Sequence, residues 1–276
     1  MSGPPQEGAT SVMYAHLPDG LRLYYVSQGA GPAVVLVHGL SGSHVLWERT
    51  LPALAGRYRA IALDLRGHGQ SDKPPGPYSV AGFAADLALL LDQLAIERAV
   101  LVGLSMGGGT VQTFALNYPE RVRALVLVST SSEFTPEVRE RFHQWAARAE
   151  REGMGALAEA LVASWVAPAF RTREPAEFAR QVQITAANAP HAFAASARAN
   201  AQRDWTAQLP RITCPVLFVG GECDGANPQR AAAIYRQYLP EVEIHLVPGA
   251  GHYVPLEAPE TFNRLLLAFL DRVTAR

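Results

Sequence analysis

The chain has 276 residues, of which 49% are hydrophobic and 18% charged, enough apolar material for a sizeable core and too little charge for disorder. The formal net charge is −1, from 24 basic and 25 acidic side chains, so neither nucleic acid nor an anionic membrane is an expected partner. Cys214 and Cys223 make no disulfide framework and match no metal spacing, and no apolar run reaches the roughly 20 residues of a membrane helix; a soluble, cytoplasmic protein is expected.

Residues 1–11 read as a frayed tail, Gly- and Pro-rich, without the basic start and apolar run of a secretory signal. Two strands are expected at Val12–Leu17 and Leu21–Ser27, joined as an antiparallel hairpin by Pro18-Asp19-Gly20. The pattern then changes. Ala33–Val37 is apolar without alternation, as in parallel strands covered on both faces. Similar runs recur at Ala60–Leu63, Ala99–Val102, Ala124–Val128, Val216–Val219 and Glu243–Val247. Helical stretches are expected at Leu46–Leu54, Val80–Leu94, Met106–Asn117, Gln229–Tyr238 and Pro259–Val273. Strands alternating with helices predict a doubly wound, mostly parallel, eight-stranded α/β sheet.

One stretch breaks the alternation. Residues 134–206 hold only helix-like segments, starting with Thr135-Pro136 as N-cap and first helical position and punctuated by Pro168, Pro175 and Pro190. The expected division is a core of residues 1–133 and 207–276 with a helical cap subdomain at 134–206.

Gly103-Leu104-Ser105-Met106-Gly107 fits G-x-S-x-G between a strand and a helix. A sharp turn there exposes the serine hydroxyl above the sheet, and the helix N-terminus directs free N–H groups at the reacting centre. A serine hydroxyl needs a base, and the base an orienting acid. His252 follows the last strand in Pro248-Gly249-Ala250-Gly251-His252. Asp224 follows the preceding one, with Glu222 as its nearest competitor. Ser105, Asp224 and His252 stand in the chain order of one known triad arrangement. The amides of Leu40 and Met106 are the expected oxyanion donors, and His38 is expected to tie loops together. The segment 63–72, LDLRGHGQSD, reads as an anion site or as a structural loop with Asp64 and Arg66 paired. No metal or phosphate-cofactor motif is present, so no cofactor is expected.

Five segments, HGLSGSHVLW (38–47), LDLRGHGQSD (63–72), GLSMGG (103–108), GECDGANP (221–228) and PGAGHYVPLEAPETF (248–262), resemble the α/β-hydrolase superfamily. The resemblance implies Ser105 as nucleophile, Asp224 as acid, His252 as base, and the Leu40 and Met106 amides as oxyanion hole. GLSMGG and residues 165–170 look most like 3-oxoadipate enol-lactonases and related carboxylesterases, although those lactonases commonly carry Ser-Leu-Gly where His38-Gly39-Leu40 stands here. Haloalkane dehalogenases and epoxide hydrolases use an aspartate nucleophile, from which Ser105 departs.

The expected activity is hydrolysis of a carboxylic ester or lactone of a small to medium, partly apolar acyl substrate through an acyl-enzyme. Hydrolysis of a carbon–carbon bond and slow-turnover ligand reception remain open on the same residues. Candidate substrate-binding residues are Trp47, Phe134, Phe142, Trp145, Trp165, Phe170 and Phe193.

Overall fold

A computed structural model describes residues 11–225 and 227–275; of the expected tail, residues 1–10 lie outside it. The apolar runs become one eight-stranded sheet: β1 (Ser11–His16), β2 (Arg22–Gln28), β3 (Ala33–Val37), β4 (Arg59–Leu63), β5 (Ala99–Leu104), β6 (Val122–Val128), β7 (Val216–Gly221) and β8 (Val242–Val247), in spatial order β1-β2-β4-β3-β5-β6-β7-β8. The hairpin β1–β2 is antiparallel, β2 pairs antiparallel with β4, and the remaining pairs are parallel.

Alternate residues of each central strand face opposite sides, and both sides are covered, which is why the runs are apolar throughout. Val35, Val37, Leu101, Leu125 and Phe218 join one apolar cluster with α2 (Val80–Gln93) and α3 (Met106–Asn117). Val34, Leu36, Val100, Val102 and Val126 join the other, with α1 (Leu51–Ala55). The last helix of the chain, Pro259–Thr274, also serves that second cluster. It buries Phe262, Leu266, Phe269, Leu270 and Val273, the stripe of an amphipathic helix. Burial of each such large side chain stabilises the fold by about 1.5–3 kcal/mol.

The helix expected at Leu46–Leu54 is two pieces, a 3₁₀ turn at His44–Trp47 and then α1. Pro52 has no N–H to donate to Glu48 and its ring would crowd that carbonyl, so the chain restarts with the proline in the first turn.

Between β6 and β7 the chain forms α4 (Pro136–Glu152), α5 (Ala158–Trp165), α6 (Pro168–Arg173), α7 (Pro175–Ala186) and α8 (Pro190–Ala201). Thr135 caps α4, its Oγ1 accepting from Val138 N at 3.4 Å. Pro168, Pro175 and Pro190 each open a helix, as a residue with fixed φ and no N–H should. The two remaining helices before the C-terminal one are α9 (Asn227–Tyr238) and α10 (Val254–Glu257), which makes Pro259–Thr274 α11. Among the described residues no helix is long and apolar enough to cross a membrane. Both cysteines are free, and burial pushes the Cys214 thiol up to about 12.

Candidate active site

The chain leaves β3 to one side, to form β4, and returns on the other, to form β5. Loops after β3 and β5 therefore diverge and open a crevice at the carboxyl edge of the sheet. Ser105 stands there, directly after β5, at φ 55° and ψ −110°. That region is costly for a residue with a side chain. Gly103 and Gly107 allow it: a Cβ on the first would strike the Gly107 carbonyl, and one on the second the Val37 and His38 carbonyls. The turn is held by hydrogen bonds at both ends of Ser105. Its N–H donates to Val128 O at 2.9 Å. Its carbonyl accepts from Gly109 N at 3.1 Å, Thr130 Oγ1 at 2.7 Å and Arg203 Nη2 at 3.0 Å.

The loops after β7 and β8 lie backbone to backbone, with Cys223 N donating to Ala250 O at 2.8 Å. They bring Asp224 Oδ2 to 2.7 Å from His252 Nδ1. A carboxylate at Nδ1 keeps the ring proton on that nitrogen and leaves Nε2 as the acceptor. Glu222, the competing acid, is exposed and lies off the cavity wall. Burial acts to lower the His252 pKa. The charge and hydrogen bond of Asp224 and the charge of Glu257 outweigh it, Arg203 opposes them, and the net direction is upward.

Glu257 carries no expectation from sequence, yet its carboxylate organises the histidine loop. It is buried and accepts backbone N–H groups from Ala167 at 2.8 Å, Gly251 at 2.9 Å and Tyr253 at 3.0 Å. Burial raises its pKa against those three donors and His252. Ala167 belongs to the helical insertion, as does Trp165, whose carbonyl accepts from His252 N at 2.6 Å.

Leu40 follows β3. The His38 ring ties its loop down, contacting Gly39 O at 2.7 Å through Nδ1 and accepting from Leu65 N at 3.0 Å through Nε2. The Leu40 amide has no protein acceptor among the described residues. Met106 is wholly buried and is not among the residues that line the cavity holding Ser105. Its amide lies in the first turn of α3, where N–H groups have no intrahelical partner.

The expected pairing of Asp64 with Arg66 does not form. Asp64 is wholly buried and accepts from His44 N at 2.6 Å and Gln70 N at 2.8 Å, with His44 Nδ1 at 2.9 Å. Burial would raise its pKa, but these contacts hold it below the ordinary value. Arg66 instead forks onto Asp86 of α2 at 2.5 Å, which leaves no open guanidinium for an anion. His68 is pushed down to about 3 by burial and packs as a neutral ring 5.1 Å from His38.

Ser105, Asp224, His252 and Leu40 all line one cavity of about 220 Å³. Four expected wall residues also line it: Phe134, Phe142, Trp145 and Trp165. Their rings form a ladder with centroid spacings of 5.2, 5.3 and 6.0 Å, and Trp165 ends it 6.5 Å from the His252 ring. Trp47, Phe170 and Phe193 do not reach the cavity. Trp47 packs against Phe262 of α11, Phe170 is buried in the same cluster, and Phe193 is buried in the cluster that α4 and α8 share. Each is filled on all sides by core atoms before it could face a ligand. Among the described residues no His, Cys, Asp and Glu side chains group as a metal site.

Fold and site together define a hydrolase built at the carboxyl edge of a mostly parallel sheet. The chain belongs to the alpha/beta hydrolase fold family, whose model matches residues 32–259. It is 27% identical over 248 residues to 3-oxoadipate enol-lactonase 2 of Acinetobacter baylyi, covering 89% of this chain and 91% of that one. A thermophilic esterase from Thermogutta terrifontis, solved with malate bound, matches with a TM-score of 0.89 at 31% identity, over 95% of this chain and 99% of that one. The enol-lactonase from Burkholderia xenovorans LB400 matches with a TM-score of 0.88 at 29% identity, over 94% of this chain and 100% of that one.

Proposed function

We propose that this chain hydrolyses carboxylic esters or lactones through an acyl-enzyme on Ser105. The observation that carries the reading is the 2.7 Å contact of His252 Nδ1 with Asp224 Oδ2 on the wall of the cavity that Ser105 enters in a strained backbone conformation.

With the ring proton held by Asp224, Nε2 takes the hydroxyl proton as Ser105 Oγ bonds to the carbonyl carbon. The carbonyl electron pair moves onto oxygen, where the Leu40 and Met106 amides receive it. The pair returns, the bond to the leaving alkoxide breaks, and His252 gives that alkoxide its proton. Water, deprotonated by the same imidazole, repeats the sequence, releasing the acid and restoring Ser105. No step calls for a cofactor. Residues 134–206 act as a cap, and their aromatic ladder favours a small to medium, partly apolar acyl group. The lactonase and esterase relatives support the same class of bond.

The test is a steady-state panel of acyl esters, lactones and vinylogous diketones, run on the wild type and on Ser105→Ala. Ester or lactone turnover that disappears in the variant supports the reading. Turnover of the diketones alone would replace it with carbon–carbon bond hydrolysis. Labelling of Ser105 by a fluorophosphonate without repeated turnover of any substrate would make the protein a receptor.

A further inference from the structure

Arg203 follows α8, where the helical insertion returns to the sheet, and is 1% exposed. A buried guanidinium ordinarily faces a carboxylate. Here the four hydrogen bonds all go to neutral oxygens. Nη1 donates to Thr130 Oγ1 at 2.8 Å and Ser131 O at 2.9 Å; Nη2 donates to Ser105 O at 3.0 Å and Asn200 Oδ1 at 2.5 Å. The Phe134 ring lies 4.7 Å from its Cζ. Burial without a counter-charge pushes it down to about 10.

The other side of the contact is shaped to receive it. Gly107, Gly108 and Gly109 lie in succession in α3, where glycine weakens a helix. A Cβ on Gly109 would sit 2.5 Å from Arg203 Nη2, and one on Gly108 would overlap Thr130. Two of the three glycines thus make room for the two side chains that converge on the Ser105 carbonyl. Thr130 is itself bridged, donating to Ser105 O and accepting from Arg203.

We propose that Arg203 is a positioning residue for the serine turn: its planar fork, working with Thr130, grips the Ser105 carbonyl and holds the strained turn. The proposal rests on the reading of Ser105 as nucleophile. The charges that weigh most on His252 are Asp224 and Glu257 as anions and Arg203 as the cation, while Glu133, Arg141 and Arg230 also line the cavity. Removing Arg203 takes away the cation that weighs most against those anions. Lysine keeps the charge but cannot hold two acceptors in a fixed plane, so fork and charge separate experimentally.

The experiment measures kcat, KM and the pH profile with p-nitrophenyl acetate and with the mono-p-nitrophenyl ester of succinic acid, on proteins whose folding is checked by circular dichroism. Arg203→Met is expected to lower kcat on both esters by about 100-fold, the scale of an ångström-size misplacement of a reacting group, with KM little changed. Its acid limb should move to higher pH. Arg203→Lys should lose kcat but keep the wild-type acid limb. Gly109→Ala displaces the guanidinium while favouring the helix, and should lose kcat similarly; it carries the test if Arg203→Met does not fold. A folded Arg203→Met with wild-type kcat and acid limb, or a folded Gly109→Ala with wild-type kcat, would overturn the proposal. So would a loss confined to KM for the succinate ester, which would make Arg203 a substrate contact. Failure of the underlying reading looks different: Ser105→Ala would then retain turnover, whatever the Arg203 variants do.

Discussion

The backbone N–H of His252 donates to the carbonyl of Trp165 at 2.6 Å. The histidine loop and the insertion above it are therefore joined at the residue that would move the proton. Glu257 strengthens the joint from beneath, with Ala167 N from the insertion and Gly251 N and Tyr253 N from the loop on one carboxylate.

A carboxamide cannot accept all three of those N–H groups, because one of its two positions is a donor. Glu257→Gln is expected to destabilise the fold by about 1–3 kcal/mol, the cost of a buried unmet donor. It also removes an anion that favours the His252 cation, so the acid limb of kcat/KM should move to lower pH, opposite to Arg203→Met. Thermal melts and pH profiles check this, and a limb that stays put or rises would contradict it.

The His252 pKa is raised in the folded protein, and the base must be neutral to work. Activity should therefore be lost in acid with a midpoint above the ordinary histidine value of about 6.5. The linkage has a definite sign. Protonation of His252 stabilises the fold fully below the unfolded pKa of about 6.5, and that contribution is lost as pH rises through the higher folded value. A kcat/KM midpoint at or below 6.5 would show that Asp224 and Glu257 do not dominate.

Ser105→Ala is expected to lower kcat by about 10⁶, as for other triads whose nucleophile is removed. Asp224→Asn should lower it by about 10⁴ while leaving the fold intact, because the amide favours the wrong tautomer of His252. Comparable losses in Glu222→Gln but not in Asp224→Asn would reassign the acid.

Phe193 and Trp145 separate core from cavity wall. Phe193→Ala should destabilise by about 3–5 kcal/mol without altering preference among acyl chain lengths. Trp145→Ala opens the wall, and kcat/KM for longer acyl esters relative to acetate should rise by about 10-fold, the worth of a methylene or so in an apolar pocket. A chain-length change in Phe193→Ala, with none in Trp145→Ala, would reverse the placement.

The sheet was legible because its central strands are covered on both faces, so Ala33–Val37 and Ala99–Leu104 write their burial directly as unbroken apolar runs. Ser105 follows such a run directly, and Asp224 and His252 lie in the loops after the last two strands, so their place at one edge of the sheet was legible. What a side chain faces across the fold was not. Trp47, Phe170 and Phe193 have the same composition signal as Trp145 and Trp165, and only packing decides which are filled around. Arg66 lies two residues from Asp64 but finds Asp86 on a helix. Arg203 reaches the Ser105 carbonyl, 98 positions away, and Glu257 reaches the Ala167 amide, 90 positions away. The signals for them were indirect: three glycines in a helix that gains nothing locally from them, and a glutamate amid an otherwise apolar short helix.

Arg203 stands inside the insertion when its boundary is drawn at residue 206, yet its guanidinium grips the turn after β5. The two parts of the chain are thus not independently inheritable. A recombinant that exchanged residues 134–206 with those of a relative lacking this arginine would keep Thr130 beside Gly108 but would be left with Gly109 shaped for a side chain no longer present. A crossover placed before Asn200 keeps the arginine and its amide partner with the sheet, which makes the last turn of α8, rather than the end of the insertion, the natural seam of this molecule.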